Sequence, residues 1–426
     1  MNESAIDKKT YKIALLVAIS CVLQIAESLI PHPIPGLRLG LANIVVLISL
    51  VTLGVRPAIE IAVLRTILSA FIMGTFMSPT FILSFFGALI STLIMGGIYL
   101  LSQARHPLRL SIIGISIIGA LVHNITQLYL AYFILVKHSG IFAFFGWLCI
   151  GSVIMGWITG LVAGSVCRKL EEFQGQTAVL EILQADNASA FRSHYIQGES
   201  FLHLLSGEIK IGGMIIISMA VLAFSNFWFY AVLFLFLVLS GFFSHIPFTL
   251  ILSRVKKYSS LIIAAFLLPL FFNSGTQVLY QIGYFKLTYL GLETGALFSL
   301  RILFLIALSA LLVSTTSCEE MTRGFASVLS PLRFVGIRKK RIADILSMSW
   351  LAVPVFWDMA RKNIKEVNLK KVRNLSGLIT PLSDLITELY LQTEPVNLKQ
   401  NSVLSDSISR NVIVSPCANL VSVKRG

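Results

Sequence analysis

The chain has 426 residues, of which 56% are hydrophobic and only 13% charged, with a formal net charge of +14 and a mean hydropathy of +0.84. A soluble domain carries about 25% charged residues, so this composition excludes an ordinary water-soluble protein and leaves a polytopic membrane protein. The lysines and arginines lie between apolar runs and in the C-terminal part, a pattern of positive-inside anchoring rather than of a nucleic-acid surface.

In chain order, the first apolar runs cover 11–30, 37–54, 59–75, 80–101, 110–136 and 141–166. Each is near the ~20 residues that cross a bilayer. With the N-terminus inside, the inner loops carry Lys8, Lys9, Lys12, Arg56, Arg105, Arg109, Arg168 and Lys169, and the outer loops only Arg38 and Lys137. That asymmetry predicts six spans with both ends cytoplasmic. Residues 1–170 form this first membrane domain, and a polar, charged stretch at 171–207 reads as a cytoplasmic linker. A second apolar block follows at 209–224, 228–246, 259–280 and 290–313. Beyond it, Ser317-Cys-Glu-Glu320 has capping-box spacing, and Met321, Phe325, Val328, Leu329 and Leu332 form one apolar stripe of a helix. The run 342–360 is interrupted by Asp344, Pro354 and Asp358 and favours an interfacial or cytoplasmic helix over a span. Thr380-Pro381 predicts a helix start with proline at its first position. The second domain is thus 208–393, about four spans plus cytoplasmic helices, and the serine- and asparagine-rich tail 394–426 reads as disordered.

Three absences bear on chemistry. The sequence holds no GxxxxGK[ST] phosphate loop, so the chain does not hydrolyse ATP by that route. Its six aspartates are scattered rather than clustered, which argues against magnesium-dependent isoprenyl transfer. Cys21, Cys149, Cys167, Cys318 and Cys417 form no CxxC pair, so neither a disulfide nor a metal site is expected. The expectation is a protein that is not an enzyme, with no catalytic residue and no directly bound cofactor.

The polar residues inside the first six runs are the candidate site. The segment from Glu27 to Asn43 packs an acid, Arg38, an amide, three prolines and two glycines between two apolar runs. Lipid cannot satisfy broken backbone, so such a segment sits against protein or beside a water-filled cavity. Gln24 and Glu27 share a helix face. Arg65 lies in the third run, and His123, Asn124 and Gln127 form a patch on the fifth. Glu27, Arg38, Asn43, Arg65, His123, Asn124 and Gln127 can converge on a polar substrate. Equally, they can be structural, with a Glu27–Arg65 ion pair and interhelical amide bonds. In the second half, Arg301 is expected to pair within the bundle.

On the 27–43 motif, Arg65 and His123-Asn124-Ile-Thr-Gln127, residues 11–169 resemble the Gx transporter family, also known as heptaprenyl diphosphate synthase component I. That family is similar to the substrate-binding S components of energy-coupling factor transporters, which implies a six-helix fold holding a small molecule near one membrane face. Residues 206–391 resemble the transmembrane T component of the same transporters, the cobalt-transport Q-like family. The match rests on Lys210, Leu312-Val-Ser-Thr-Thr316 with Glu319 and Glu320, Ser330-Pro-Leu332 and Pro354. The resemblance implies that the helices after Thr316 are coupling helices seated on two ABC-type ATPase subunits in trans, through Glu320, Arg323, Pro331, Lys370 and Lys371. Where that family carries Ala-Arg-Gly, this chain reads Leu369-Lys370-Lys371, and lysine lacks the donor fork of arginine.

The resulting expectation is an all-α polytopic protein of a prokaryotic cell membrane, an S-like bundle fused to a T-like domain. It binds a small molecule, and ATP acts only through its partners. The alternatives are a membrane partner of quinone or isoprenoid synthesis or of flavin-linked redox without ATP coupling, and an ion-coupled secondary transporter. The missing inverted repeat speaks against the last.

Overall fold

The computed structural model describes residues 8–29, 40–104, 110–136, 139–172, 198, 200–244, 246–272, 277–282, 285–329, 339–366 and 376–391. The first half contributes helices α1 (Lys8–Leu29), α2 (Leu41–Leu53), α3 (Val55–Met73), α4 (Pro79–Ala104), α5 (Ile112–Leu130) and α6 (Phe145–Glu172). A π-helical stretch, Ala131–Val136, and a 3₁₀ turn, Ser139–Phe144, join α5 to α6. The second half contributes α7 (Phe201–Leu204), α8 (Gly207–Ala223), α9 (Phe227–Phe243), α10 (Phe248–Lys257), α11 (Ser259–Phe272), α12 (Tyr289–Thr315), α13 (Cys318–Val328), α14 (Lys339–Glu366) and α15 (Ser376–Leu391). The protein is an all-α polytopic membrane protein with, among the described residues, one small two-stranded sheet. In it, β1 (Val278–Ile282) pairs antiparallel with β2 (Phe285–Thr288), Gln281 opposite Lys286.

Among the described residues, α1, α4, α5, α6, α12 and α14 supply the helices long and apolar enough to cross a membrane. The sequence-based spans need correction elsewhere. The second run forms only the 13-residue α2, and the third forms α3, which carries Arg56, Glu60 and Arg65. Both are sheltered by their neighbours. Ile44 to Leu50 and nearly all of α3 from Pro57 to Phe71 are buried, so neither helix needs a lipid-facing length. The expected span 259–280 ends at Phe272, and Tyr280 lies in β1, where the apolar, β-branched sequence Val-Leu-Tyr-Gln-Ile suits a strand as well as a helix. The helix expected to begin at Thr380-Pro381 begins at Ser376 instead and takes Pro381 into its second turn, close enough to the helix start that few backbone bonds are lost. The run 342–360 lies within α14, which has the length and apolar content of a span and contains Pro354.

The capping box forms as its spacing predicts. Ser317 Oγ accepts from Glu320 N at 3.2 Å, and the Glu320 carboxylate accepts from Ser317 N at 3.0 Å. Buried Met321 and Phe325 then turn α13 inward. Its Gly324 and Gly207 of α8 lie so close that a Cβ on Gly324 would stand 2.7 Å from the Gly207 carbonyl oxygen.

The two halves share one core. Helix α14 lies along α1, and α15 lies along α6. Phe71 and Phe76 of the first half stack edge-on with Phe325, at centroid separations of 6.1 and 4.9 Å, and Phe71 also meets Trp350. Polar contacts reinforce the seam. Ser349 Oγ donates to the Ala14 carbonyl at 2.8 Å, Tyr390 meets Thr52 at 3.2 Å, and Lys169 pairs with Asp384.

Candidate functional site

Helix α1 ends and α2 begins at the floor of a polar cavity. Gly40, the residue before α2, has φ +77°, a left-handed conformation that glycine adopts at little cost. This turn aims two free backbone N–H groups at α1, and Glu27 receives both. Its carboxylate oxygens accept from Gly40 N at 2.8 Å and Leu41 N at 3.1 Å. An anion at a helix N-terminus satisfies unpaired donors and complements the helix dipole. Ser20 Oγ donates to the Ala42 carbonyl at 3.0 Å and fastens the same corner.

In the cavity wall, about three turns into α3, stands Arg65, 4% exposed. Its guanidinium donates to Gln24 Oε1 at 2.9 Å and to Asn43 Oδ1 at 2.5 Å, so three helices meet on one cation. Of the structural alternative, the interhelical amide bonds are present, while Glu27 and Arg65 take other partners than each other. The carboxylate organises the α2 terminus, while the guanidinium orients two amides. On the facing side, Asn124 donates to Ser152 Oγ at 2.7 Å, and Ser116 and Thr159 bond at 2.8 Å, fixing α5 to α6. The ring of His123 lies against Gly87, where a Cβ would come within 3.0 Å of it, and its Nε2 accepts from Gln127 Nε2 at 3.1 Å.

The cavity is about 60 Å³. Gln24, Glu27, Asn43, Arg65, His123 and Asn124 all line it. Gln127 is not among the lining residues and acts behind His123. Arg38 lies outside the described residues. Sequence reasoning missed Thr66, Ser84, Ser116 and Thr159 in the lining. Hydroxyls are common in apolar helices, where they bond their own backbone, as Ser84 does to Thr80 and Thr159 to Met155. A volume of this size takes about four or five water-sized groups, and its walls offer a guanidinium, amides, hydroxyls and an imidazole.

Of the expected coupling residues, Glu320 and Arg323 are described; Pro331, Lys370 and Lys371 lie outside the described residues. Glu320 does more than cap α13. The Lys210 ammonium, buried in α8, donates to both its oxygens at 3.0–3.1 Å and to the Thr315 carbonyl at 2.8 Å, so the α12–α13 corner is tied to α8. Arg323 is exposed and pairs with Glu319 one turn back. Arg301, as expected, is held inside the bundle, by Ser225 Oγ at 2.7 Å and Tyr230 Oη at 3.3 Å.

Comparison with known proteins divides the chain in the same way. Residues 16–166 match the family model for heptaprenyl diphosphate synthase component I, and residues 198–366 match that for cobalt transport protein. Several bacterial proteins named energy-coupling factor transporter transmembrane protein EcfT are similar to it. The one from Listeria innocua is 31% identical over 183 residues, 43% of this chain and 69% of that protein. The one from Streptococcus thermophilus is 31% identical over 199 residues, 44% of this chain and 75% of that protein. That from Bacillus subtilis is 28% identical over 183 residues, 43% of this chain and 69% of that protein. Through its second half, this multi-pass membrane chain belongs to the energy-coupling factor transporter transmembrane protein family.

Proposed function

We propose that the chain is the membrane subunit of an energy-coupling factor importer, in which residues 1–170 bind a small polar molecule and residues 208–393 couple that event to separate ATPase subunits. The observation that carries this reading is the cavity built on Arg65. Buried charge in a membrane domain is costly and marks function by default, and here it faces polar lining from α1, α2, α5 and α6. The cargo presents hydrogen-bonding groups to Arg65, Asn124 and the hydroxyls of Ser84, Ser116 and Thr159. With the N-terminus cytoplasmic, as the loop charges favour, the end of α1 and the cavity beside it lie toward the outer face, the side from which an importer loads. The ATPases bind at the opposite face, against α13 and the helices beyond it, and they alone handle ATP.

Affinity purification of the full chain from its native membrane in mild detergent, with mass spectrometry of proteins and small molecules, tests this. ABC-type ATPases in the eluate, together with a metabolite that is lost in Arg65→Ala and Asn124→Ala, are expected. Prenyl-transfer or flavin proteins in place of ATPases would overturn the importer reading.

A further inference from the structure

Helix α3 carries Arg65 into the cavity, yet both of its ends are gripped by the other half of the chain. Near its start, Glu60 is buried, its side chain only 2% exposed, and it meets two arginines. Arg341 of α14 donates to Glu60 Oε2 at 3.0 Å, and Arg56 Nε stands 3.7 Å from Oε1. A buried carboxylate is held firmly by such a partner, because separating the pair leaves a desolvated charge. At the other end, Arg254 of α10 donates to the Met73 carbonyl at 3.0 Å, and Ser309 of α12 donates to the Gly74 carbonyl at 3.1 Å. These are terminal carbonyls that the helix cannot satisfy itself, and a cation complements that end of the dipole. Gly74, at φ +66°, is required there. A Cβ would sit 1.5 Å from an Arg254 guanidinium nitrogen.

The geometry points to α3 as a rod held at two points, through which α14 and α10 set the position of Arg65 and hence the closure of the cavity. We assign Glu60, Arg341 and Arg254 as positioning residues for that site. By the helix rise, Arg65 stands about 7.5 Å along the axis from Glu60 and about 12 Å from Met73. Between those points α3 is buried and regular, so a shift at either grip is carried along it rather than absorbed. A displacement of α14 thus reaches the guanidinium without passing through α5 or α6. The assignment rests on reading the cavity as the cargo site.

The test uses the full chain in lipid nanodiscs, with its cysteines replaced by serine and one reporter, Ala120→Cys, in the cavity wall. The probe is N-ethylmaleimide. Ala120 lines the cavity, so the labelling rate reports how readily the reagent reaches that wall. Glu60→Gln and Arg341→Gln are each expected to change the rate about threefold or more, the scale on which coupling networks respond. The double variant should do no more than either single one, and Arg341→Lys should restore much of the parent rate. Lys169→Gln, which removes a contact of α6 with α15 that does not touch α3, should leave the rate unchanged. In the chain with its native cysteines, hydrogen exchange of residues 55–73 should quicken in Glu60→Gln and Arg254→Gln. Parent labelling rates in folded Glu60→Gln and Arg341→Gln, with parent exchange in folded Glu60→Gln and Arg254→Gln, would overturn the clamp. Neither readout involves cargo or ATPase, so that result would leave the importer reading standing. An eluate without ATPase or metabolite would sink the importer reading without moving either rate.

Discussion

Glu27 and Arg65 sit in adjacent helices with opposite charge, and each does something different from neutralising the other. The Glu27 oxygens meet backbone N–H groups of Gly40 and Leu41, so its substitution acts first on the start of α2 and only through it on Asn43 and the cavity. Glu27→Gln keeps one acceptor but turns an amide NH₂ toward a backbone donor, leaving a buried N–H without a bond. Such an orphan costs about 1–3 kcal/mol. The expected outcome is a lower midpoint of thermal unfolding in detergent, with Glu27→Asp intermediate because its shorter side chain reaches only part of the turn. An unchanged midpoint in Glu27→Gln would show that the cap does not hold α2. Arg65→Gln leaves this cap intact, so its loss of cargo retention should come with a smaller loss of stability. The charge of these residues was legible in the sequence because an ionisable group in an apolar run stands out. Their partners were not, because backbone donors freed by a turn carry no residue-type signature.

The contact between α5 and α6 rests on two glycines four residues apart. A Cβ on Gly156 would stand 2.6 Å from Ile117 Cα, and one on Gly160 would stand 2.7 Å from Ile113 Cα. Small residues let helix backbones approach where no hydrophobic force drives them together. That approach also places Ser116 beside Thr159 and Asn124 beside Ser152. Gly160→Leu therefore has to push α5 away, at a cost of about 1–3 kcal/mol typical of overpacking, and it should open the far wall of the cavity as well. Gly164→Ala meets nothing within 4 Å and should behave as the parent. Comparing the two by thermal unfolding checks the account, and equal midpoints would refute it. Here the limit of sequence reading is physical. Apolar length announces a helix, and the capping box at Ser317 announced the start of α13. Which glycine faces a backbone depends on the rotation of a neighbouring helix. The strand pair at 278–288 escaped for a related reason: in a chain this apolar, a short apolar strand and the end of a span share one composition.

At the scale of the whole molecule, the two halves resemble separate families and match separate family models, but they are not packed as separate bodies. Charged grips at Glu60–Arg341 and Lys169–Asp384, the capped end of α3, and the ring cluster of Phe71, Phe76 and Phe325 all cross the seam. The tandem arrangement was legible because each half keeps its own motif, Glu27 to Asn43 in one and Leu312 to Thr316 in the other. The seam was not, since its partners lie from about 180 to more than 300 residues apart in the chain and are ordinary arginines, serines and phenylalanines. A covalent link raises the effective concentration of one half at the other, but the contacts across the seam should outlast it. With a protease site placed in the linker expected at 171–207, the cleaved full-length protein should elute in mild detergent as one particle containing both fragments. Arg341→Glu combined with Arg254→Gln removes the charged contacts at both ends of α3 and sets two carboxylates against each other at Glu60, so after the same cleavage the halves should separate more readily than in the parent as the detergent is made harsher. Separation of the parent fragments on cleavage would mean that the tether, and not the seam, holds the molecule together.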